Sequence, residues 1–212
     1  MHITQRGNNR TDCFRCESEY LVYLLHLKEL SARMDCAVHA YCLMTNHVHL
    51  LMTPASADAC ASLMRDLGQR YVQYFNRRHS RSGTLWEGRF HSSVVGSPEY
   101  VLACYRYIES NPVWAGMVPS PSAHRWSSHA VNVGLGADGL VAPHADFLAI
   151  GGPAEYLRIF EDELPAAMIS VITEAIAGGY PLGSNAFKES LEVDPRRLER
   201  RRAGRPARQR GG

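Results

Sequence analysis

Two histidines separated by a single residue, His47 and His49, are the residues of this sequence that point most clearly to chemistry. They lie in an apolar run typical of a β-strand, in which residues i and i+2 project from the same face. Both imidazoles would then point the same way, and two neighbouring imidazoles on a strand can serve as a pair of metal ligands. The alternative is that one histidine lies at the edge of the core and the other faces solvent. The spacing alone leaves both interpretations open.

A tyrosine and an asparagine further along the chain could complete such a site. Tyr107 and Asn111 are four residues apart in a segment with helical spacing, so they would share one helix face. A phenol is poorly ionised at neutral pH, but a divalent cation can polarise a phosphoryl group under attack and neutralise charge on its oxygens. Two imidazoles and an amide oxygen form a mixed ligand set that suits Mg²⁺ or Mn²⁺. We therefore regard Tyr107 as a candidate nucleophile, and His47, His49 and Asn111 as candidate metal ligands.

The net charge of +2 is distributed unevenly. Residues 119–194 carry three basic and ten acidic side chains, whereas residues 195–212 carry eight arginines and one acid. This last segment cannot bury a core, and its arginines suit phosphates. Around Arg205, the sequence Gly-Arg-Pro resembles the short arms that lie in A·T-rich minor grooves. We expect a flexible nucleic-acid arm, and the alternative is a disordered solubilising tail.

Composition sets the remaining bounds. A chain of 212 residues with 45% apolar residues can form one sizeable core, with or without an appendage. No run approaches the roughly 18 apolar residues of a membrane span, and the start does not resemble a signal peptide. Six scattered cysteines are too irregular for a disulfide framework, so the cytoplasm is the expected compartment. We interpret Cys13 and Cys16 as incidental thiols rather than a zinc site.

Hydrophobic periodicity predicts an α+β fold. Strands are expected over 1–6, 36–43, 47–53 and up to residue 95, and helices over 17–34, 57–78 and 97–110. Ser97-Pro98-Glu99 favours a helix start, and Asn111-Pro112 favours its end. The order predicts a ferredoxin-like (RRM-like) antiparallel sheet with helices on one face. We expect a catalytic domain over 1–118, a C-terminal helical extension over 119–194 with a helix near 155–176, and a tail over 195–212.

Candidate DNA contacts are arginines and a polar loop. Residues 65–89 hold six arginines interleaved with aromatic residues, and most of the aromatic residues at helical spacing are expected in the core. The polar loop follows the first strand, where ligands commonly bind. The candidates for DNA binding are Arg6, Asn8, Asn9, Arg10, Arg77, Arg78, Arg81, Arg89 and Arg205.

Four segments, 4–10, 39–49, 83–90 and 105–112, together resemble the REP-associated tyrosine transposases, which are bacterial members of the histidine–hydrophobic–histidine (HUH) single-tyrosine transposases. The resemblance covers about residues 1–130, and the segment 178–183 is similar to the family's C-terminal region. It implies an HUH endonuclease fold, with Tyr107 as the nucleophile and Asn111 completing the metal site of His47 and His49. Tyr105 is then expected to pack.

The resemblance also implies cleavage of single-stranded DNA near structured repeats, through a 5′-phosphotyrosine and a free 3′-hydroxyl. The chain begins at Met1-His2, inside what would be the family's first strand, so an upstream piece is expected to be missing. Trp114 stands where relatives often carry a basic residue, which is expected to weaken a phosphate contact. The alternatives are a catalytically silent repeat-binding protein and a metal-dependent phosphoesterase that uses water. We expect a monomer, with a dimer as the alternative, and no membrane partner.

Overall fold

The computed structural model describes residues 1–56 and 58–191, and its centre is a four-stranded antiparallel sheet. The strands are β1 (His2–Arg6), β2 (Cys36–Leu43), β3 (His47–Pro54) and β4 (His91–Ser93). They are arranged in the order β2-β3-β1-β4, so β1 and β3 are the central strands. The predicted strands are present, and β2 and β3 form the predicted hairpin.

Alternation along β3 determines what each face of the sheet contacts. Val48, Leu50 and Met52 are buried in the core that the sheet forms with helices α1 (Glu17–Arg33) and α2 (Ala59–Arg78). The intervening residues, including His47 and His49, project from the opposite face. That face is covered by α3 (Pro98–Trp114) and by helices from the C-terminal part of the chain.

The predicted α+β, ferredoxin-like fold is confirmed. The predicted single helical layer is formed by α1 and α2, whereas α3 lies on the other face of the sheet. This second layer matters for function because it brings α3 against the histidines.

Helix α3 begins as predicted and ends later than predicted. The Ser97 hydroxyl accepts a hydrogen bond from the Tyr100 backbone N–H, and Pro98 occupies the first turn. The predicted end at Asn111-Pro112 is wrong, because the helix continues to Trp114. Proline removes one backbone donor, and in the last turn of a helix this loss interrupts little of the hydrogen-bond ladder.

Beyond α3 the described chain forms short helices. These are α4 (His129–Asn132), α5 (Ala145–Ala149), α6 (Pro153–Arg158), α7 (Ala166–Gly178) and α8 (Asn185–Ser190). The predicted single helix near 155–176 is instead two helices, α6 and α7. Pro165 at the N-terminus of α7 accounts for the break, since proline disfavours helical backbone in the residue before it. None of the six cysteines forms a disulfide, and no helix among the described residues could cross a membrane.

A buried carboxylate joins α3 to the C-terminal part of the chain. Glu109 is fully buried and accepts hydrogen bonds from Ser128 Oγ at 2.6 Å and Asn132 Nδ2 at 2.7 Å on one oxygen. Its other oxygen accepts from Tyr156 Oη at 2.9 Å and His129 Nδ1 at 3.0 Å. A buried carboxylate is tolerated only with such partners, so these four donors determine how α3 docks.

We expect Glu109→Gln to lower the free energy of unfolding by about 2–4 kcal/mol. The glutamine NH₂ group would face hydrogen-bond donors in a buried site, which leaves those donors without an acceptor. Urea denaturation followed by circular dichroism measures the change. Glu155→Gln is the control, since Glu155 pairs with Arg158 at the surface and such pairs contribute under about 1 kcal/mol. Equal losses in the two variants would contradict a central role for Glu109.

Candidate active site

The register of β1 and β3 assembles one side of the site. Arg6 is paired with His47, and Thr4 with His49. The ring centroids of His47 and His49 lie 5.0 Å apart. His49 is only 5% exposed and His47 is half-buried. The alternative that one histidine faces open solvent does not hold, because both rings lie in the same partly enclosed site.

Burial keeps both imidazoles neutral. It lowers the pKa of His47 to about 4, with a smaller contribution from the nearby Arg6 guanidinium. It lowers the pKa of His49 well below the usual range, and a second proton there would also be repelled by any charge on His2 or His47 and by the Arg6 guanidinium. A neutral imidazole offers a lone pair to a metal ion, so both side chains are in the form that a ligand requires.

Among the residues that the structure describes, each of these histidines has a hydrogen-bonding partner for one ring nitrogen only. His47 Nδ1 lies 2.7 Å from the side-chain oxygen of Asn46, and His49 Nδ1 lies 3.1 Å from Nε2 of His2. Metal-binding histidines commonly donate their second N–H to a neighbouring acceptor, which fixes the ring and its tautomer. The same nitrogen, Nε2, is therefore left for a ligand in both rings.

Tyr107 projects from α3 onto His49. Its ring centroid lies 5.8 Å from that of His49 and 5.5 Å from that of Trp114. Its hydroxyl lies 3.1 Å from Thr173 Oγ1 on α7. Because the Thr173 hydroxyl donates to the Ile169 carbonyl at 2.7 Å, Tyr107 is the donor to Thr173. The hydroxyl of this candidate nucleophile is thus oriented by the C-terminal part of the chain.

Tyr105 has the packing role expected of it. It is fully buried, stacks on Phe147 at 5.5 Å and accepts a hydrogen bond from the His144 backbone N–H. Two residues along a helix correspond to a rotation of about 200°, so Tyr105 and Tyr107 point to different sides of α3. Only Tyr107 of the two contacts His49.

Asn111 lies one turn beyond Tyr107. Its amide nitrogen donates to the Tyr107 backbone carbonyl at 2.7 Å, which leaves its side-chain oxygen as the atom that could bind a cation. Among residues 1–56 and 58–191, no group of three His, Cys, Asp or Glu side chains could hold a metal ion. The proposed ligand set of two imidazoles and one amide oxygen differs from such a group, and the donor chemistry of His47, His49 and Asn111 fits a divalent cation.

The polar loop after β1 lies beside the histidines. Gly7 donates its backbone N–H to the Asn46 carbonyl at 2.8 Å, and a Cβ at Gly7 would lie 2.3 Å from the Thr11 carbonyl oxygen. Only glycine allows this close approach. Asn46 also donates to the Arg10 carbonyl. The structure therefore brings together the following predicted residues near His47: Arg6, Asn8, Asn9 and Arg10.

The other predicted DNA contacts lie elsewhere. Arg77 and Arg78 are in the last turn of α2, where Arg78 pairs with the buried Glu19 at 3.3 Å. Arg81 lies over the Phe75 ring. Arg89 lines a groove of about 1030 Å³ between α2 and residues 86–92. Arg205 and the tail lie outside the described residues.

Three side chains that position this site were missed in the sequence. His2, Asn46 and Thr173 each hydrogen-bond a predicted site residue. Asn46 could have been found, because it directly precedes His47. His2 and Thr173 are 47 and 66 residues away from their partners, and only the pairing of β1 with β3 and the docking of α7 bring them close.

Comparisons with known proteins agree with this fold. The family model described as "Transposase IS200 like" matches residues 1–111. A solved structure described as the REP-associated tyrosine transposase bound to a REP hairpin is similar, with a TM-score of 0.54 and 19% identity, over 68% of this chain and 84% of that one. A comparison with curated proteins found no match. The predicted family resemblance is confirmed: the chain belongs to the IS200-like transposase family.

Proposed function

We propose that this protein is a metal-dependent single-stranded DNA endonuclease and strand transferase that acts at hairpins of REP type through a 5′-phosphotyrosine. The observation that carries the proposal is the contact of Tyr107 with His49 in a member of the IS200-like transposase family. A tyrosine that packs on one of two neighbouring neutral imidazoles is an arrangement suited to phosphoryl transfer. The protein would act as a monomer in the cytoplasm.

The reaction would begin with attack of the Tyr107 oxygen on a DNA phosphorus atom. The bond from phosphorus to the 3′-oxygen breaks, which leaves a free 3′-hydroxyl and a tyrosine linked to the 5′-phosphate. Attack by a 3′-hydroxyl on that linkage rejoins DNA without ATP, because the phosphodiester is exchanged rather than hydrolysed. His47, His49 and Asn111 would hold Mg²⁺ or Mn²⁺, which when bound would polarise the phosphoryl group and offset charge on its oxygens.

Single-stranded and hairpin DNA are the proposed partners. The similar solved structure holds a REP hairpin, as its description states. In this chain, the loop of Arg6 and Arg10 lies next to the histidines, where it could contact the phosphates that flank the scissile bond. Arg77, Arg81 and Arg89 are proposed to bind DNA further from the histidines, and Trp114 could stack on a base because it is 45% exposed.

Tyr107→Phe tests the nucleophile. The wild type is incubated with a labelled hairpin oligonucleotide carrying a single-stranded flank and Mn²⁺, then run on a denaturing gel. We expect a covalent protein–DNA band that falls by at least about 1,000-fold in Tyr107→Phe, because phenylalanine lacks the attacking oxygen. Tyr100→Phe is the control, since Tyr100 is half-buried on the same helix.

The same gel separates the alternatives. Cleavage that persists in Tyr107→Phe would contradict the tyrosine mechanism and favour a phosphoesterase that uses water. Binding with no cleavage in the wild type would indicate a silent repeat-binding protein.

His49→Ala should lower the cleavage rate by about 100-fold or more, while hairpin affinity changes by less than about threefold. The reason is that the imidazole is proposed to hold the cation that activates the reacting phosphate, and not to bind the hairpin. Cleavage assays and fluorescence anisotropy measure the two quantities. His26→Ala is the control, because His26 lies on α1, on the opposite side of the sheet. Equal loss of cleavage and binding would mean that His49 supports folding instead.

Deletion of residues 195–212 tests the basic arm proposed from the sequence. Removing eight arginines should weaken hairpin binding and flatten its salt dependence, by about 0.7–0.9 in the logarithmic slope for each lost phosphate contact. Anisotropy titrations at several salt concentrations give that slope. An unchanged slope would show that the segment is not a DNA arm.

A further inference from the structure

His2 is a buried histidine that packs against two residues of the candidate active site. It lies on the same face of the sheet as His49, on the neighbouring strand and diagonally across from it, because Thr4 pairs with His49 and His2 pairs with Leu51. Its ring centroid is 5.3 Å from that of His49 and 5.6 Å from that of Tyr107. His2 is fully buried, so its side chain is not accessible to DNA.

The hydrogen bond between the two histidines has a definite chemical consequence. His2 Nε2 and His49 Nδ1 lie 3.1 Å apart, and both rings are buried, where the neutral form of an imidazole is favoured. Each neutral ring has one N–H donor and one lone pair. If His49 donates from Nδ1, its Nε2 carries the lone pair that a cation needs. If His2 donates instead, His49 is protonated at Nε2 and cannot bind a cation there.

No competing hydrogen bond determines the orientation of His2. Its other nitrogen, Nδ1, is buried without a partner among the described residues. The ring of His2 therefore has His49 as its one hydrogen-bonding partner in the described part of the chain. Asn46 holds Nδ1 of His47 in the equivalent manner at 2.7 Å, so both candidate ligands receive the same kind of support.

We propose that His2 is a positioning residue that accepts the Nδ1 proton of His49 and so presets its Nε2 to bind a divalent cation. The proposal rests on the proposed function, because it assumes the cation site of His47 and His49. His2 itself does not touch the cation or the DNA. It fixes the tautomer and the ring orientation of His49, as hydrogen-bonding neighbours of metal-binding histidines commonly do.

Substitutions at His2 separate hydrogen bonding from packing. Phenylalanine retains a planar ring but accepts no hydrogen bond, whereas a glutamine oxygen can accept one near the position of Nε2. We expect His2→Phe to weaken Mn²⁺ binding by about 10–100-fold and His2→Gln to stay within about threefold of wild type. Calorimetric titration with MnCl₂ gives the affinities, and His26→Phe is the matched control on the far side of the sheet.

His47→Ala makes the outcomes distinguishable. If wild type and His47→Ala bind Mn²⁺ equally, the cation site itself is absent, and the proposal falls together with the proposed function. If His47→Ala loses Mn²⁺ while His2→Phe retains wild-type affinity, only the role of His2 is overturned. Loss in His2→Phe with recovery in His2→Gln supports the proposal, and equal loss in both variants assigns His2 to packing and overturns it.

A second measurement does not depend on the variants of His2 folding. Long-range ¹H–¹⁵N correlation spectra of the metal-free wild type report which ring nitrogen of each histidine carries the proton, with His49 assigned from its missing signals in His49→Ala. We expect a proton on His49 Nδ1. A proton on His49 Nε2 would overturn the proposal.

Discussion

The strict alternation of β3 is the constraint on which the site depends. Val48, Leu50 and Met52 are buried against α1 and α2, and burying each such side chain contributes about 1.5–3 kcal/mol. A register slip of one residue would exchange them with His47 and His49. The hydrophobic core on one face therefore determines that both imidazoles project from the other face, where α3 lies. Pairing of β1 with β3 then adds Arg6 and His2 to the same face.

Helix α3 must also dock at one rotation about its axis, and Glu109 supplies that restraint. Tyr107 and Glu109 are two residues apart, so they face nearly opposite sides of the helix. Tyr107 contacts His49, while Glu109 is bound by four donors from residues 128–156. Turning the helix by one residue would leave the buried carboxylate without partners. The polar cluster on one side of the helix thus holds Tyr107 against the sheet on the other side.

These dependencies explain which parts of the structure the sequence could predict. Local periodicity predicts β3, the shared face of His47 and His49, and the four-residue spacing of Tyr107 and Asn111, because each depends on neighbours in the chain. The contact of His2 with His49 and that of Thr173 with Tyr107 depend on pairing between distant elements. No local pattern encodes either contact. The helix end predicted at Asn111-Pro112 was wrong for the opposite reason. The local preference of proline favours a helix end, but α3 continues past it.

The C-terminal part of the chain is structurally continuous with the sheet, although its acidic composition sets it apart. Backbone hydrogen bonds join β2 to residues 126, 128 and 142, and residues 94 and 96 to Leu182. These contacts cover part of the β2 edge and the chain just after β4, which shortens the exposed edges where another chain could pair. The same segment supplies the partners of Glu109 and the acceptor for the Tyr107 hydroxyl. The predicted domain boundary at residue 118 therefore marks a change in amino-acid composition. The geometry of Tyr107 nevertheless depends on contacts between the two sides of that boundary.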